Sequence, residues 1–351
     1  MPARDIEHLF DGTNYNPAPL NPAEMELITT ASLEPAATTS DLKLPDWVQA
    51  EFPEWLYADM ASYWGQNFNT EARSLNMPAP VDLRVNTLKA SCNRVLKILK
   101  NDSLAAEPTP YSPLGLRLTV RRNLQATTAF KSGFVEIQDE GSQLIALLTD
   151  ANSDHKTIDF CAGGGGKTLA LAAAMSDGGL LIACDTHKGR LDRITPRLKR
   201  AGVSNVSRHH LAGPEDPWLQ EHHASAERVL IDVPCSGSGA WRRAPAAKWR
   251  LKADTLKRYT TEQASILDQA SLLVKPGGRL IYATCSVLPQ ENEDQISAFI
   301  ARAGVFRLVP ISGLWEKIIG GTCPSPGDHL YLTPARTQTD GFFCAVLERR
   351  P

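Results

Sequence analysis

Two cysteines fifty residues apart occupy turn-like settings: Cys235 in Asp232-Val-Pro-Cys-Ser-Gly-Ser-Gly239 and Cys285 in Tyr282-Ala-Thr-Cys-Ser286. A single buried cysteine is usually a small apolar filler. Two thiols, each in a tight polar turn that ends an apolar run, point further. The thiolate is the nucleophilic form, and one reaction that needs such a nucleophile is alkylation of a pyrimidine. Carbon 5 of cytosine attacks poorly. A thiolate adding to carbon 6 makes an enamine whose carbon 5 can attack a methyl sulfonium, so one hard step is divided into easier ones. A proton must then leave carbon 5 and the sulfur must be expelled. The second thiol, or a base that it orients, can assist there. Asp232 is placed to hydrogen-bond the ring nitrogen and the exocyclic amine. The residues alone do not rank the two sulfurs.

A third turn, Asp159-Phe-Cys-Ala-Gly-Gly-Gly-Gly-Lys-Thr168, carries four successive glycines where an apolar run enters a helix. Without Cβ atoms the backbone N–H groups can approach a ligand closely, and a helix N-terminus favours negative charge. Two ligands compete, and a plain glycine-rich turn is the bland alternative. A nucleotide phosphate calls for G-x-x-x-x-G-K-[ST]. Reading back from Gly166-Lys167-Thr168 puts Cys161 where the first glycine belongs, so that pattern fails. S-adenosylmethionine needs close backbone approach at its amino-acid end and a carboxylate nearby, such as Asp159. Asp185, 19 residues beyond Gly166, ends the next apolar run. That is where a ribose hydroxyl is held. Aspartate also caps helices well, and both roles are compatible. The spacing favours a nucleoside cofactor.

Downstream of Cys235, residues 240–258 hold seven Lys/Arg against one acid, Asp254, with Trp241 and Trp249 among them. Cations and aromatics beside a catalytic turn suit phosphate contacts and base stacking on single-stranded RNA. An amphipathic surface helix with long basic stems would give the same composition.

The elements that must position these turns are legible from periodicity. Apolar runs at Thr157–Phe160, Leu180–Cys184, Val229–Val233, Arg279–Ala283 and Phe342–Leu347 predict strands. Helical patterns follow at 167–176, 187–201, 255–274 and 289–302. The alternation implies parallel strands with crossover helices, a doubly wound α/β sheet. In such a sheet ligands sit at the carboxyl ends of the strands, where all three turns fall. Strand, helix and strand at 80–137 predict a small α+β unit. Apolar and aromatic spacing over 46–75 predicts packed helices, and a short helical piece is expected near Pro22.

Composition bounds the answer. The chain has 351 residues, 42% of them hydrophobic and 22% charged, which is a globular profile. No apolar run reaches the ~20 residues of a membrane span. The opening Met1-Pro-Ala-Arg-Asp-Ile-Glu lacks a signal-peptide pattern, so export is not expected. Seven scattered cysteines, an odd number with no Cys-x-x-Cys pair, disfavour a disulfide framework and a zinc site and fit a reducing cytoplasm. The net charge of -2 hides a division: residues 1–79 hold 3 Lys/Arg against 12 Asp/Glu, whereas 80–131 hold 9 against 3. A basic second segment fits a polyanion partner, or simply a solvated face.

Taken together the motifs resemble the Sun/Fmu family of RNA cytosine carbon-5 methyltransferases. The resemblance covers roughly 45–350 and is strongest in the glycine loop, the two cysteine turns, Pro289-Gln-Glu-Asn-Glu293 and Asp340-Gly-Phe-Phe343. Leu83-Arg-Val-Asn-Thr-Leu-Lys89 and Gln138-Asp-Glu-Gly-Ser142 are similar to the segment that precedes the family's catalytic domain. The resemblance implies Cys285 as nucleophile and Cys235 as the thiol of product release. Cys161, Ala162, Gly163, Gly164, Gly165, Gly166 and Lys167, with Asp185 and Asp232, would line the S-adenosylmethionine site. With the acidic helical segment read from charge and spacing at 1–79, the resemblance implies a basic α+β RNA-binding subdomain at 80–137 and a Rossmann-like methyltransferase domain at 138–351. The substrate would be small-subunit ribosomal RNA, with transfer RNA as the alternative. A catalytically silent RNA-binding assembly factor is the rival of another class, against which the intact Cys235 and Cys285 speak.

Three departures stand out. The family usually has Ala-Pro where this chain has Gly163-Gly164, so the loop is softer. An acid that holds the adenine often follows the third strand, yet Arg208-His-His-Leu-Ala-Gly213 contains none, and neither Glu215 nor Asp216 is assigned that role. Finally, fuller members begin with a helical NusB-like RNA-binding domain; about 75 residues precede the basic segment here, so that domain is expected to be absent or reduced.

Overall fold

A computed structural model describes Phe10 and residues 18–33, 44–120 and 122–351. The remainder of the acidic stretch, at 1–9, 11–17 and 34–43, and Arg121 of the basic stretch lie outside the described residues. The chain forms two compact units, 1–57 and 58–351. In the first, a helix runs over Pro22–Leu33. Pro22 opens it, where its missing N–H is no loss. Asn21 Oδ1 accepts from Glu24 N at 3.0 Å while the Glu24 carboxylate accepts from Asn21 N at 2.8 Å, a reciprocal cap.

The second unit holds two sheets. The smaller comprises β1 (Asp82–Val85), β2 (Ala106–Pro108), β3 (Gly115–Leu118) and β4 (Val135–Ile137), in the order β2-β3-β1-β4 with every pair antiparallel. Helix α1 (Cys92–Asn101) starts at Ser91, whose hydroxyl accepts from Arg94 N. Its Val95 and Leu99, one turn apart, are buried against Leu83, Val85 and Leu116 of the sheet.

The larger sheet contains β5 (Lys156–Asp159), β6 (Leu180–Asp185), β7 (Val206–His210), β8 (Ala226–Asp232), β9 (Val274–Thr284), β10 (Phe306–Val309), β11 (Leu330–Leu332) and β12 (Phe342–Arg349). Its order is β10-β12-β9-β8-β5-β6-β7, with β11 beside β12. Strands β9, β8, β5, β6 and β7 are parallel. Chain order reverses at β5, with β6 on one side and β8 on the other, so the carboxyl ends of these strands open a crevice. Leu144, Ile145 and Leu148 of α2 (Glu140–Leu148) and Leu171 of α3 (Gly166–Ala174) cluster with Leu181, Leu230 and Ile281 of the sheet.

The doubly wound sheet is the one the alternation predicts, with β10 and β11 added and three further differences. Strand β12 runs antiparallel to β9, because a strand's direction is set by its connections and not by its own residues. The helix predicted over 187–201 is two helices, Lys188–Asp192 and α4 (Ile194–Ala201). Pro196 lacks the N–H that would continue a single helix by bonding residue 192. Strand β7 carries Arg208, His209 and His210 and offers no apolar run; it is the sheet's edge, where polar residues are ordinary. Beyond these, α5 (Ala253–Ser271) follows the Cys235 turn, and α6 (Glu293–Arg302) follows the Cys285 turn.

Candidate active site

Strands β8 and β9 lie side by side in parallel, with Asp232 opposite Ala283. Both chains therefore leave the sheet at one edge, and the Cys235 and Cys285 sulfurs come to 3.4 Å. The turns are tied by Gly239 N, which donates to Cys285 O at 3.0 Å. They are also tied by Glu291, a fully buried carboxylate. It accepts from Ser236 N (2.8 Å), Ser236 Oγ (2.5 Å), Ser286 Oγ (2.5 Å) and Gln263 Nε2 (3.0 Å). Asn292 Nδ2 donates to Ser286 O at 3.0 Å. The motif Pro289-Gln-Glu-Asn-Glu293 was visible in sequence, but this knotting role was not, because a chain of residue types does not disclose which turns share a carboxylate.

The two sulfurs differ in surroundings. A hydrogen bond shared with Cys285, together with burial and the Glu291 charge, raises the Cys235 thiol well above the usual thiol range. Cys161 is likewise pushed well up, by burial first and then by Asp159, Asp232 and Asp185. Its contribution to the loop is therefore backbone and shape, with the sulfur held as a thiol.

The glycine loop is a cradle in fact. Gly163 has φ 54° and Gly165 φ 82°, left-handed values that L side chains avoid. A Cβ on Gly165 would also press to 3.0 Å from Ile194. Gly163 N donates to one Asp185 oxygen at 2.9 Å and His187 N to the other at 2.7 Å. Asp185 thus sits beside the loop and also braces the next turn. Arg197 of α4 donates to Gly164 O and, at 2.9 Å, to Glu136 of β4, a link from the small sheet to the loop that periodicity could not reveal.

Lys167 joins the cradle to the thiol turn. Its Nζ lies 2.6 Å from Asp232 Oδ2. Burial opposes the ammonium, but the Asp232 carboxylate more than offsets this and raises its pKa. Asp232 itself keeps 34% of its side chain exposed and faces the open crevice. Asp159 is fully buried. One oxygen accepts from Thr168 Oγ1 at 2.7 Å, the other has no partner among the described residues, and burial lifts the carboxyl's pKa to about 7.

A cleft of about 1070 Å³ runs past Asp185, His187, Leu211, Pro214, Asp232 and Cys235, with one face of α5 as its outer wall. A second cavity of about 310 Å³ is lined by Gln138, Ser142, Asp159, Gly163, Lys167 and Asp232. Beyond β7 the cleft wall is Leu211, Gly213 and Pro214. Asp216 is spent on its own turn, accepting from Ala212 N (2.8 Å) and Trp218 N (3.0 Å).

Several cations of the basic segment are used internally. Arg84 donates to Gln138 at 2.6 Å, Arg117 pairs with Asp82 at 2.7 Å, and Lys89 donates to Ser132 O and Arg200 O. Among the described residues no cluster of His, Cys, Asp and Glu could hold a metal ion, and no helix is long and apolar enough to cross a membrane.

Residues 145–348 match the family model described as 16S rRNA methyltransferase RsmB/F, and residues 52–125 match its RsmF/B-like, ferredoxin-like domain. Ribosomal RNA small subunit methyltransferase B of Vibrio vulnificus is 30% identical over 299 residues, 85% of this chain and 66% of its own length. The probable ribosomal RNA small subunit methyltransferase B of Synechocystis is 31% identical over 306 residues, 86% of this chain and 67% of its own. A crystal structure of a methyltransferase homolog protein from Pyrococcus horikoshii aligns with a TM-score of 0.72 at 26% identity, over 86% of this chain and 97% of that one. This chain spans just under two thirds of the Vibrio protein it matches. The matched residues take in the glycine loop, Asp185 and both cysteine turns, and the chain belongs to the 16S rRNA methyltransferase RsmB/F family.

Proposed function

We propose that the chain is an S-adenosylmethionine-dependent RNA cytosine carbon-5 methyltransferase whose substrate is small-subunit ribosomal RNA. The observation that carries this reading is the pair of sulfurs 3.4 Å apart, of which Cys235 lines the same cleft as Asp232, Asp185 and Gly163 of the glycine loop, with Asp232 paired to Lys167.

The residues fit the methyl donor. The cradle has no Cβ at four positions, Asp185 stands at the end of the neighbouring strand, and Asp159 is among the residues that line the smaller cavity. Cys161 to Lys167, with Asp185 and Asp232, would hold the donor. When bound, it supplies an electrophilic methyl group on a sulfonium.

The chain's own residues do the rest. Cys285 adds to carbon 6 of the cytosine as the thiolate. Asp232, already paired with Lys167, accepts hydrogen bonds from the edge of the base. Cys235 keeps its proton, for the reasons given above, and lies against the sulfur that must later leave. The carbon 5 proton passes to water in the open cleft, the C5–H electron pair re-forms the C5=C6 bond, and Cys235 hydrogen-bonds the Cys285 thiolate as the C6–S bond breaks. The target base must leave its stack to reach these groups, which favours a single-stranded or flippable site. All seven cysteines are free, which supports action in the reducing cytoplasm.

Bisulfite sequencing of total RNA with and without the gene tests the reading. Loss of one methylcytosine from small-subunit ribosomal RNA is expected. Loss confined to transfer RNA would move the assignment to the alternative substrate, and no loss anywhere would refute the enzymatic reading.

A further inference from the structure

We infer that Trp249 is a stacking platform for a nucleotide adjacent to the target base. This rests on the proposed RNA substrate and adds a recognition residue to it. Trp249 belongs to the basic, aromatic stretch 240–258, and the fold treats that stretch unevenly. Trp241 is 1% exposed and Lys248 3%, so both are built into the molecule. Trp249, on the short helix Pro245–Arg250, is 55% exposed, more than any other tryptophan among the described residues.

A solitary exposed apolar side chain is ordinary; three observations set this one apart. First, it follows Cys235 by fourteen residues through a turn that Gly239 N fastens to Cys285 O. Second, its posture is held. The Lys248 ammonium is bound by Asn76 Oδ1 at 2.5 Å and lies 4.9 Å from the centre of the Trp249 ring. A fixed cation on one face orients the indole and leaves an aromatic surface toward solvent. Third, the neighbouring charge is uncompensated. Arg250, Lys252, Lys257 and Arg258 are exposed, and among the described residues none has a carboxylate partner. Arg242 and Arg243 differ, since Asp340 and Asp139 together pair with both. Lys257 and Arg258 line the same cleft as Asp232 and Cys235, together with Asp254 and Glu262. An open aromatic face beside unpaired cations matches a single-stranded polynucleotide, with a base on the ring and phosphates on the cations.

The test is fluorescence anisotropy with a labelled single-stranded RNA of about ten nucleotides bearing a central cytosine. Trp249→Ala is expected to bind about ten-fold more weakly, the size of one lost base–aromatic stack, while Trp249→Phe retains most of the affinity. In Trp249→Ala the slope of log affinity against log salt should stay as in the wild type. In Lys252→Ala it should flatten by about 0.7, one phosphate contact on a single strand. Calorimetric binding of S-adenosylhomocysteine to Trp249→Ala should match the wild type, which separates lost RNA contact from damage to the fold. Unchanged RNA affinity in Trp249→Ala overturns the inference, as does competition by polyglutamate that depends on Trp249, which would assign the ring to a protein partner. If the wild-type chain binds no RNA, the substrate reading fails and this inference falls with it; if it binds and methylates but Trp249→Ala is indistinguishable, only the inference fails.

Discussion

The sulfur pair is symmetric in residue type and asymmetric in surroundings. A hydrogen bond with Cys285 and burial raise the Cys235 thiol, and in the proposed mechanism Cys285 attacks and Cys235 assists release. Cys285→Ala is expected to abolish both methyl transfer and the covalent RNA adduct. Cys235→Ala should still attack but release slowly, accumulating an adduct visible as a retarded gel band. An adduct formed by Cys285→Ala, or none formed by Cys235→Ala, would reverse the two roles. A second expectation concerns Asp159, whose carboxyl is raised by burial to about 7 in the folded chain. A raised carboxyl favours the fold at low pH and costs stability as pH climbs from the unfolded value toward 7. Asp159→Asn keeps an acceptor for Thr168 and removes that cost. The variant should therefore gain on the wild type between about pH 4 and pH 7, by a few kcal/mol at most. Urea melts across that range, without ligand, would show a pH-independent difference if the carboxyl were already ionised in the fold.

Single elements act here through what they bring to the strand ends. The 3₁₀ turn Pro289–Glu291 ahead of α6 is short, yet it delivers Glu291, which binds both cysteine turns and α5 through Gln263. Glu291→Gln places an amide N–H₂ where hydroxyl and backbone donors already point. Because the site is fully buried, the loss should reach about 2–4 kcal/mol, read as a lowered urea midpoint with an unchanged slope. A midpoint equal to the wild type's would mean that the turns are held by something else. Helix α4 is a second example. It follows the strand that carries Asp185, and its Arg197 spans Glu136 and Gly164 O. A helix read from sequence only as a crossover is also a brace for the glycine loop.

At the scale of the molecule, the two sheets of residues 58–351 are joined by polar contacts between the small sheet and α4. Glu136 of β4 accepts from Arg197 and Arg200, and Asn86 Nδ2 donates to Gly133 O (3.0 Å) and Ala201 O (2.8 Å). Glu136 is 4% exposed, so Glu136→Ala strands two guanidinium groups. About 2 kcal/mol should be lost, less than for a fully enclosed pair because both arginines keep some contact with water. The expected signature in denaturant is a small-sheet transition that separates from that of the large sheet. A single transition at the wild-type midpoint would assign the join to packing alone.

Much of this was readable before folding. The glycine loop, the aspartates at 159, 185 and 232, the two cysteine turns and the α/β alternation all follow from local rules: which residues lack Cβ, which bear charge or sulfur, and which apolar periods persist. Such rules act over a few residues, so a linear string displays them. What only the tertiary structure decided is non-local. Strand order put β8 beside β9 and so brought Cys235 to Cys285; it also made β12 antiparallel. A hydrogen bond with Cys285 and burial raised the Cys235 thiol. Packing hid Trp241 while leaving Trp249 open, although both sit among the same cations. In each case the deciding energy is desolvation or contact between residues far apart in the chain, which residue type alone does not determine.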